Sequence, residues 1–270
     1  MSEREVRDFP VVILCGGEGT RFGQATQNMP KPLLEIGGEP ILLHIMRIYA
    51  RHGFKRFILC LGYRGAMIKD YFLGRDVREC DLRLDLEHGT QTLLGGATPL
   101  DWDVTFAETG HKTETGARVQ RVSQYIDTPT FLLTYGDGLA DIDLGRLLAF
   151  HRAHGRIGTV TGVRARSQFG EMVLEGDTVR SFIEKPQVSA MINGGFFIFE
   201  RRFLEYLSAE ADCILEQQPL RRLAGDGELK VFEHGGFWQC MDTFKDYRAL
   251  NEMFERGGAP WTRIASGPVL

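Results

Sequence analysis

The run Val11-Val12-Ile13-Leu14 passes through Cys15 into Gly16-Gly17-Glu18-Gly19-Thr20-Arg21, and Lys31-Pro32 follows ten residues after that arginine. The four apolar residues read as a buried strand, so the glycine-rich loop leaves that strand at its carboxyl end. In open α/β sheets ligands bind there. Three glycines within four positions let the backbone approach a ligand with no Cβ in the way. An arginine and a lysine just downstream can neutralise phosphate oxygens. The stretch therefore reads as a nucleotide phosphate site. It is not the dinucleotide fingerprint GxGxxG, because Phe22 stands where the third glycine would fall, and it lacks the GxxxxGK of a Walker A loop. Pro30 and Pro32 hold the Lys31 segment extended, which fixes where the ammonium group points.

Outward from this loop, apolar runs at Arg56–Leu61 and 131–134 read as further strands. Residues 40–51 and 66–73 show helical spacing, with Pro40 suited to a first helical turn. Strand and helix in alternation predict βαβ units and an α/β, Rossmann-like sheet, mixed but mainly parallel and flanked by helices. Between 76 and 109 the pattern weakens to short β-like pieces at 82–86 and 104–108, which read as a surface arm, an oligomer contact or merely a long excursion with a hairpin. The second half is richer in strands (158–163, 170–174, 179–183, 192–199), with helices predicted at 201–207, 214–223 and 244–256. No repeat or linker interrupts the chain, so 1–270 reads as one domain with halves at about 9–140 and 141–256.

A formal net charge of −4 gives no basic field for DNA or RNA, which argues against a nucleic-acid partner. Residues 1–8 are charged, unlike a signal peptide, and no window approaches the ~18 apolar residues of a membrane helix. The five cysteines are odd in number, widely spaced and without a CxxC pair, which predicts free thiols and a cytoplasmic location. Cys15 reads as a small packing residue.

Four further constellations carry chemistry. In Tyr135-Gly136-Asp137-Gly138 the aspartate ends an apolar strand, where it can hold a hard cation such as Mg2+ or simply make an Asp-Gly turn. In Met241-Asp242-Thr243 the aspartate is a second metal candidate or a helix N-cap. The two become informative as a pair, since one Mg2+ shared by two carboxylates and a triphosphate neutralises phosphoryl charge. Glu184-Lys185-Pro186 with Asn193-Gly194-Gly195 suits a second phosphate and sugar hydroxyls, or an exposed lysine before a turn. Thr113 to Arg118 reads as a helix start.

Together these motifs resemble the sugar-phosphate nucleotidyltransferases, most closely their glucose-1-phosphate cytidylyltransferase branch, over about residues 11–261. The general pattern GGxGTR with PKP is met by Gly16 to Arg21 and Pro30-Lys31-Pro32. The branch is suggested by Ile36-Gly37-Gly38, Thr134 to Gly138, Glu184-Lys185-Pro186, Met191 to Phe197 and Gly236-Phe237-Trp238-Gln239. The resemblance implies the nucleotide-diphospho-sugar transferase fold with a smaller β-rich sugar-binding part. It implies a nucleotide site at Leu14, Cys15, Gly16, Gly17, Glu18, Gly19, Thr20, Arg21, Lys31, Thr113, Arg118 and Gly136. It implies Mg2+ on Asp137 and Asp242, and a sugar-phosphate site at Gly170, Glu184, Lys185, Asn193 and Gly194. Arg21, Lys31, Asp137, Lys185 and Asp242 would be catalytic.

The implied reaction is CTP plus α-D-glucose 1-phosphate giving CDP-glucose and pyrophosphate, in a homo-oligomer serving polysaccharide biosynthesis. Departures from the pattern are Cys15, Glu18, residues 22–26, Ala117 and Cys240. Glu18 places a negative charge in the loop, so it is expected to point away from the phosphates or to help hold metal. Alternatives are another nucleotide (UTP, dTTP, GTP), another sugar 1-phosphate, or a regulatory subunit with an inactive site.

Overall fold

The computed structural model describes residues 3–19, 22, 29–95, 100–164, 170–184 and 190–263. After helix α1 (Glu3–Asp8), strand β1 (Pro10–Leu14) is buried at all five positions. A strand apolar on both faces belongs in the middle of a sheet covered on both sides. A tight hairpin of β2 (Glu35–Ile36) and β3 (Glu39–Pro40) turns on Gly37 and Gly38, both at positive φ. It leads into α2 (Ile41–Arg51), β4 (Arg56–Leu61), α3 (Gly65–Leu73) and α4 (Arg75–Glu79). The first half closes with an exposed ribbon of β5 (Asp81–Asp85) and β6 (Thr90–Leu94), then β7 (Asp103–Glu108), α5 (Thr115–Arg121) and β8 (Thr130–Tyr135). There follow β9 (Gly138–Ala140), α6 (Leu144–His154), β10 (Gly158–Val163) and a second ribbon, β11 (Glu171–Glu175) with β12 (Thr178–Ile183). The chain finishes with β13 (Ile192–Glu200), α7 (Gln218–Gly225), β14 (Leu229–His234), β15 (Trp238–Cys240) and α8 (Phe244–Glu255).

Seven strands form the central sheet in the order β14-β10-β13-β8-β1-β4-β7. β13 is antiparallel to both its neighbours, and the other pairings are parallel. The chain leaves β1 toward β4 on one side and returns with β8 on the other, so β1 and β8 bound a topological switch point. In register, Leu14 lies opposite both Cys60 and Tyr135, and the loops after these strands leave at one height. Because β13 runs the other way, its first residues, Asn193 and Gly194, reach the same edge.

Two cores cover the sheet. On one face Val11 and Ile13 pack with Ile41, Ile45 and Leu250, and on the other Val12 and Leu14 pack with Val119 and Leu223. This alternation follows from the two-residue repeat of β1.

The mainly parallel α/β sheet matches the sequence reading; several elements differ. Residues 104–108 belong not to an excursion but to β7, an edge strand of the main sheet beside β4. β14, the opposite edge, was not anticipated, because its charged and apolar residues mix as expected of a half-exposed edge. Helix α6 was also not anticipated, although Asp143 caps it by accepting from the Arg146 N–H and Gly155 ends it at φ 62°. The helix expected at 214–223 begins at Gln218 instead, with Pro219 in its first turn, where a missing N–H costs nothing. Pro40 is the N-cap of α2, one position earlier than expected.

Phe199 lies fully buried between Phe203, stacked at 3.9 Å between ring centroids, and Phe197 at 5.5 Å. Phe199→Ala is expected to cost about 3–5 kcal/mol, read as a lower urea midpoint at unchanged m-value.

Candidate active site

A cavity of about 410 Å³ opens at the switch point between β1 and β8. Leu14, Cys15, Gly16, Gly17 and Gly19 form one wall, Tyr135, Gly136 and Asp137 the other. Gly136 is required by close approach, since a Cβ there would lie 2.8 Å from the Leu14 carbonyl oxygen. Phe22 is buried against the core and also lines the cavity, which explains why a large residue stands in place of a third glycine.

At the mouth, Lys31 Nζ donates to Asp137 Oδ2 at 2.7 Å and to Asp242 Oδ1 at 2.8 Å. These residues are 106 and 211 positions from Lys31 in sequence. Asp137 follows β8 directly, and Asp242 is placed by the N-terminus of α8, where Thr243 and Asp246 form a reciprocal capping box. Burial acts to lower the Lys31 pKa, but the Asp137 charge and the hydrogen bonds to both carboxylates outweigh it and the net shift is upward. Cys240 Sγ belongs to the same cluster, its ligand atom within 4.8 Å of the two carboxylates. Burial first, and then the Asp137 charge, push its thiol pKa up. Two carboxylates already sharing one cationic group form a hard-oxygen donor set that fits a hard divalent ion, with the soft sulfur of Cys240 a poor ligand for it.

The floor is made by Arg118, which is 4% exposed. Its Nη1 donates to Leu61 O (3.0 Å), Thr109 Oγ1 (2.7 Å) and Gly110 O (2.8 Å), and its Nη2 to Gly16 O (3.1 Å) and His111 O (3.4 Å). Arg118 thus lines the cavity while spending its hydrogen bonds on the protein. A Cβ at Gly16 would fall 2.1 Å from Arg118 Nη1, and one at Gly62 2.5 Å from it.

The other expected site residues divide. Thr113 lines the cavity and accepts from Arg121 Nη1 at 2.9 Å. Glu18 is not among the lining residues; it turns to His111, with Oε1 3.8 Å from Nδ1. Asn193 Nδ2 donates to the Tyr135 hydroxyl at 3.1 Å, which joins it to the cavity's second wall, whereas Gly194 O accepts from Trp238 Nε1 at 2.8 Å; neither residue is among the lining residues. Gly170 and Glu184 flank the β11–β12 ribbon and are not among the lining residues. Thr20, Arg21 and Lys185 lie outside the described residues. Glu114, Thr115, Pro32 and Tyr135 line the cavity without having been singled out as site residues. Glu216, which accepts from Tyr135 and Thr115, gave no sequence signal at all, because its neighbours are 81 and 101 residues away.

A glycine-walled cavity at a switch point, with a cation held by paired carboxylates, defines a nucleotide-binding α/β protein that handles phosphate groups. The chain belongs to the nucleotidyl transferase family, whose sequence pattern matches residues 10–256. It is 45% identical over 250 residues to the probable glucose-1-phosphate cytidylyltransferase of Bacillus subtilis (strain 168), covering 93% of this chain and 98% of that protein. It is 44% identical over 253 residues to the glucose-1-phosphate cytidylyltransferase of Salmonella typhi, covering 93% and 97%. The crystal structure of HddC from Yersinia pseudotuberculosis shares the fold, with a TM-score of 0.67 and 24% identity over 91% of this chain and 99% of that one. Among the described residues no helix is long and apolar enough to cross a membrane.

Arg118→Met should cost at least about 3 kcal/mol, since buried acceptors that served a charged donor lose it. A thermal denaturation series checks this, and the nucleotide affinity should fall with it.

Proposed function

We propose that this chain is an enzyme joining CTP to α-D-glucose 1-phosphate, giving CDP-glucose and pyrophosphate. The names of relatives matched over nearly their whole length support the substrates. The observation that carries the chemistry is the Lys31 ammonium, shared by Asp137 and Asp242 at the mouth of the glycine-walled cavity.

A phosphate oxygen of the sugar 1-phosphate attacks the α-phosphorus of CTP in line. The bond from that phosphorus to the bridging oxygen breaks, and pyrophosphate departs with the electron pair. A phosphate monoester is already ionised near pH 7, so the nucleophile needs no general base. Charge and position remain for the protein to supply. Asp137 and Asp242 would hold Mg2+, which neutralises triphosphate charge when bound. Lys31 is poised to exchange carboxylate oxygens for phosphate oxygens as the triphosphate arrives. Backbone N–H groups of residues 16–19 face the phosphates, and Arg21 adds a second cation there. On the other side, Asn193 and Gly194 meet the sugar, with Gly170 and Glu184 contributing from the ribbon and Lys185 gripping the sugar's phosphate. The family match across 10–256 supports treating 1–270 as one catalytic unit. Homo-oligomerisation and a reducing, cytoplasmic setting are part of the same reading, the latter supported by five free thiols.

The test is pyrophosphate release with CTP, UTP, dTTP and GTP against a panel of sugar 1-phosphates. CTP with glucose 1-phosphate should be fastest. Relatives named mannose-1-phosphate guanylyltransferase, at 30–32% identity, make the base the sharpest comparison in that panel. No release for any pairing would instead favour an inactive nucleotide-binding subunit. Lys31→Met should lower turnover by about 10²–10³. In the absence of nucleotide the same change removes the ammonium that competes for the carboxylates, so Mn2+ binding followed by electron paramagnetic resonance should tighten.

A further inference from the structure

The loop before α7 places one exposed carboxylate, Glu216, against two residues that line the cavity. Glu216 Oε2 accepts from Thr115 Oγ1 at 2.8 Å, and its Oε1 accepts from the Tyr135 hydroxyl. Thr115 begins α5 and Tyr135 ends β8, and both line the cavity. Glu216 is therefore joined to the nucleotide-side helix by one oxygen and to the opposite wall by the other.

The direction of each bond in this chain is fixed at both ends by a backbone N–H. The Gly195 N–H donates to Asn193 Oδ1 at 2.8 Å, which sets the amide's orientation and turns Nδ2 toward Tyr135. The Tyr135 oxygen accepts from Nδ2, so its own proton goes to Glu216. At the other end the Leu215 N–H donates to Thr115 Oγ1 at 2.9 Å, so the threonine proton also goes to Glu216. Burial first, and then the Glu216 charge, push the Tyr135 phenol pKa upward, consistent with a hydroxyl that remains a donor.

The segment carrying Glu216 is anchored independently of these side chains. The Glu114 N–H donates to Ala211 O at 2.8 Å, and the Gly116 and Ala117 N–H groups donate to Cys213 O at 2.9 and 3.1 Å. A Cβ at Gly116 would lie 2.8 Å from Cys213 Sγ, so the packing of helix start on loop is tight.

We propose that Glu216 is a positioning residue for the sugar phosphate. Its carboxylate fixes the Tyr135 hydroxyl as a donor, and through it holds the Asn193 amide in the orientation that meets the sugar. This rests on the reading that Asn193 faces the sugar phosphate. A glutamine at 216 would keep one acceptor oxygen where two hydroxyls now donate. Either Tyr135 or Thr115 would then have to reverse its proton, and reversal at Tyr135 would oppose the Asn193 amide.

The experiment is calorimetric titration of glucose 1-phosphate into the full-length protein with CTP present and metal withheld, with steady-state turnover and melting temperature measured alongside. Glu216→Ala and Tyr135→Phe should each weaken sugar-phosphate binding roughly tenfold and raise its KM in step. The CTP KM should rise by less than the sugar-phosphate KM in each, and the double variant should be no worse than the weaker-binding single. Glu216→Gln should weaken sugar-phosphate binding as well, with a smaller packing change. Additive effects, an equal loss of CTP affinity, or losses that only follow the melting temperature would overturn the assignment, as would a wild-type protein that does not bind glucose 1-phosphate. Wild-type binding without turnover would count against the proposed reaction instead, and the variant affinities would still decide the role of Glu216.

Discussion

A buried guanidinium governs the binding edge of this protein. Arg118 reaches from α5 beneath three loops and donates to backbone carbonyls in each: Gly16 after β1, Leu61 at the end of β4, and Gly110 and His111 after β7. Burying a cation is costly unless its hydrogen bonds are made, and removing water acts here to lower the arginine's pKa. Five acceptors in a planar fork compensate, which is the geometry in which arginine and lysine are least interchangeable. The same contact explains two glycines. Gly16 and Gly62 leave the space that the guanidinium fills, so part of the glycine-rich signature serves an internal cation rather than a ligand.

The site therefore holds two positive groups of different character. Arg118 is locked, with its donors committed to carbonyl and hydroxyl oxygens. Lys31 is half-buried at the mouth and bound to two carboxylates that a metal ion would also want. A flexible ammonium can change partners without leaving a fixed hydrogen-bond fork unsatisfied, whereas Arg118 cannot move without orphaning three loops. Structure and chemistry are thus divided between two cations that line one cavity, one setting the shape of the floor and the other able to change partners.

How much of this could be read from the sequence depends on the range of each interaction. β1 and its loop were legible because four apolar residues and three glycines are adjacent, and a fully buried strand needs no partner to announce itself. Asp137 was legible as the residue after an apolar strand, and the capping residues of α8 as a local pattern, although the choice between cap and ligand was not. The structure assigns the cap to Thr243 and Asp246, which frees Asp242 to face Lys31. α6 was missed despite an Asp cap and a Gly terminator, because its apolar residues are interrupted by Gly145, Arg146, His151 and Arg152. The edges β7 and β14 were obscured for a different reason, since a half-exposed strand carries charges that weaken any apolar run. Glu216 had no local signal whatever. Its meaning comes from tertiary contact alone.

Glu18 and the start of α5 show how the fold resolves two apparent conflicts at the phosphate wall. A carboxylate within a phosphate loop would repel its ligand, but Gly17 and Gly19 line the cavity while Glu18 does not, its side chain facing His111 instead. A helix N-terminus beside a phosphate cavity would ordinarily attract the anion. Here the Gly116 and Ala117 N–H groups are already bonded to the Cys213 carbonyl, so these two first-turn donors are not open to it. Under the proposed reaction, the glycine loop and Lys31, which line the cavity, have to supply the rest of the phosphate field. That requirement accounts for a lysine pinned between two prolines, reaching the cavity mouth from outside the loop rather than from within it.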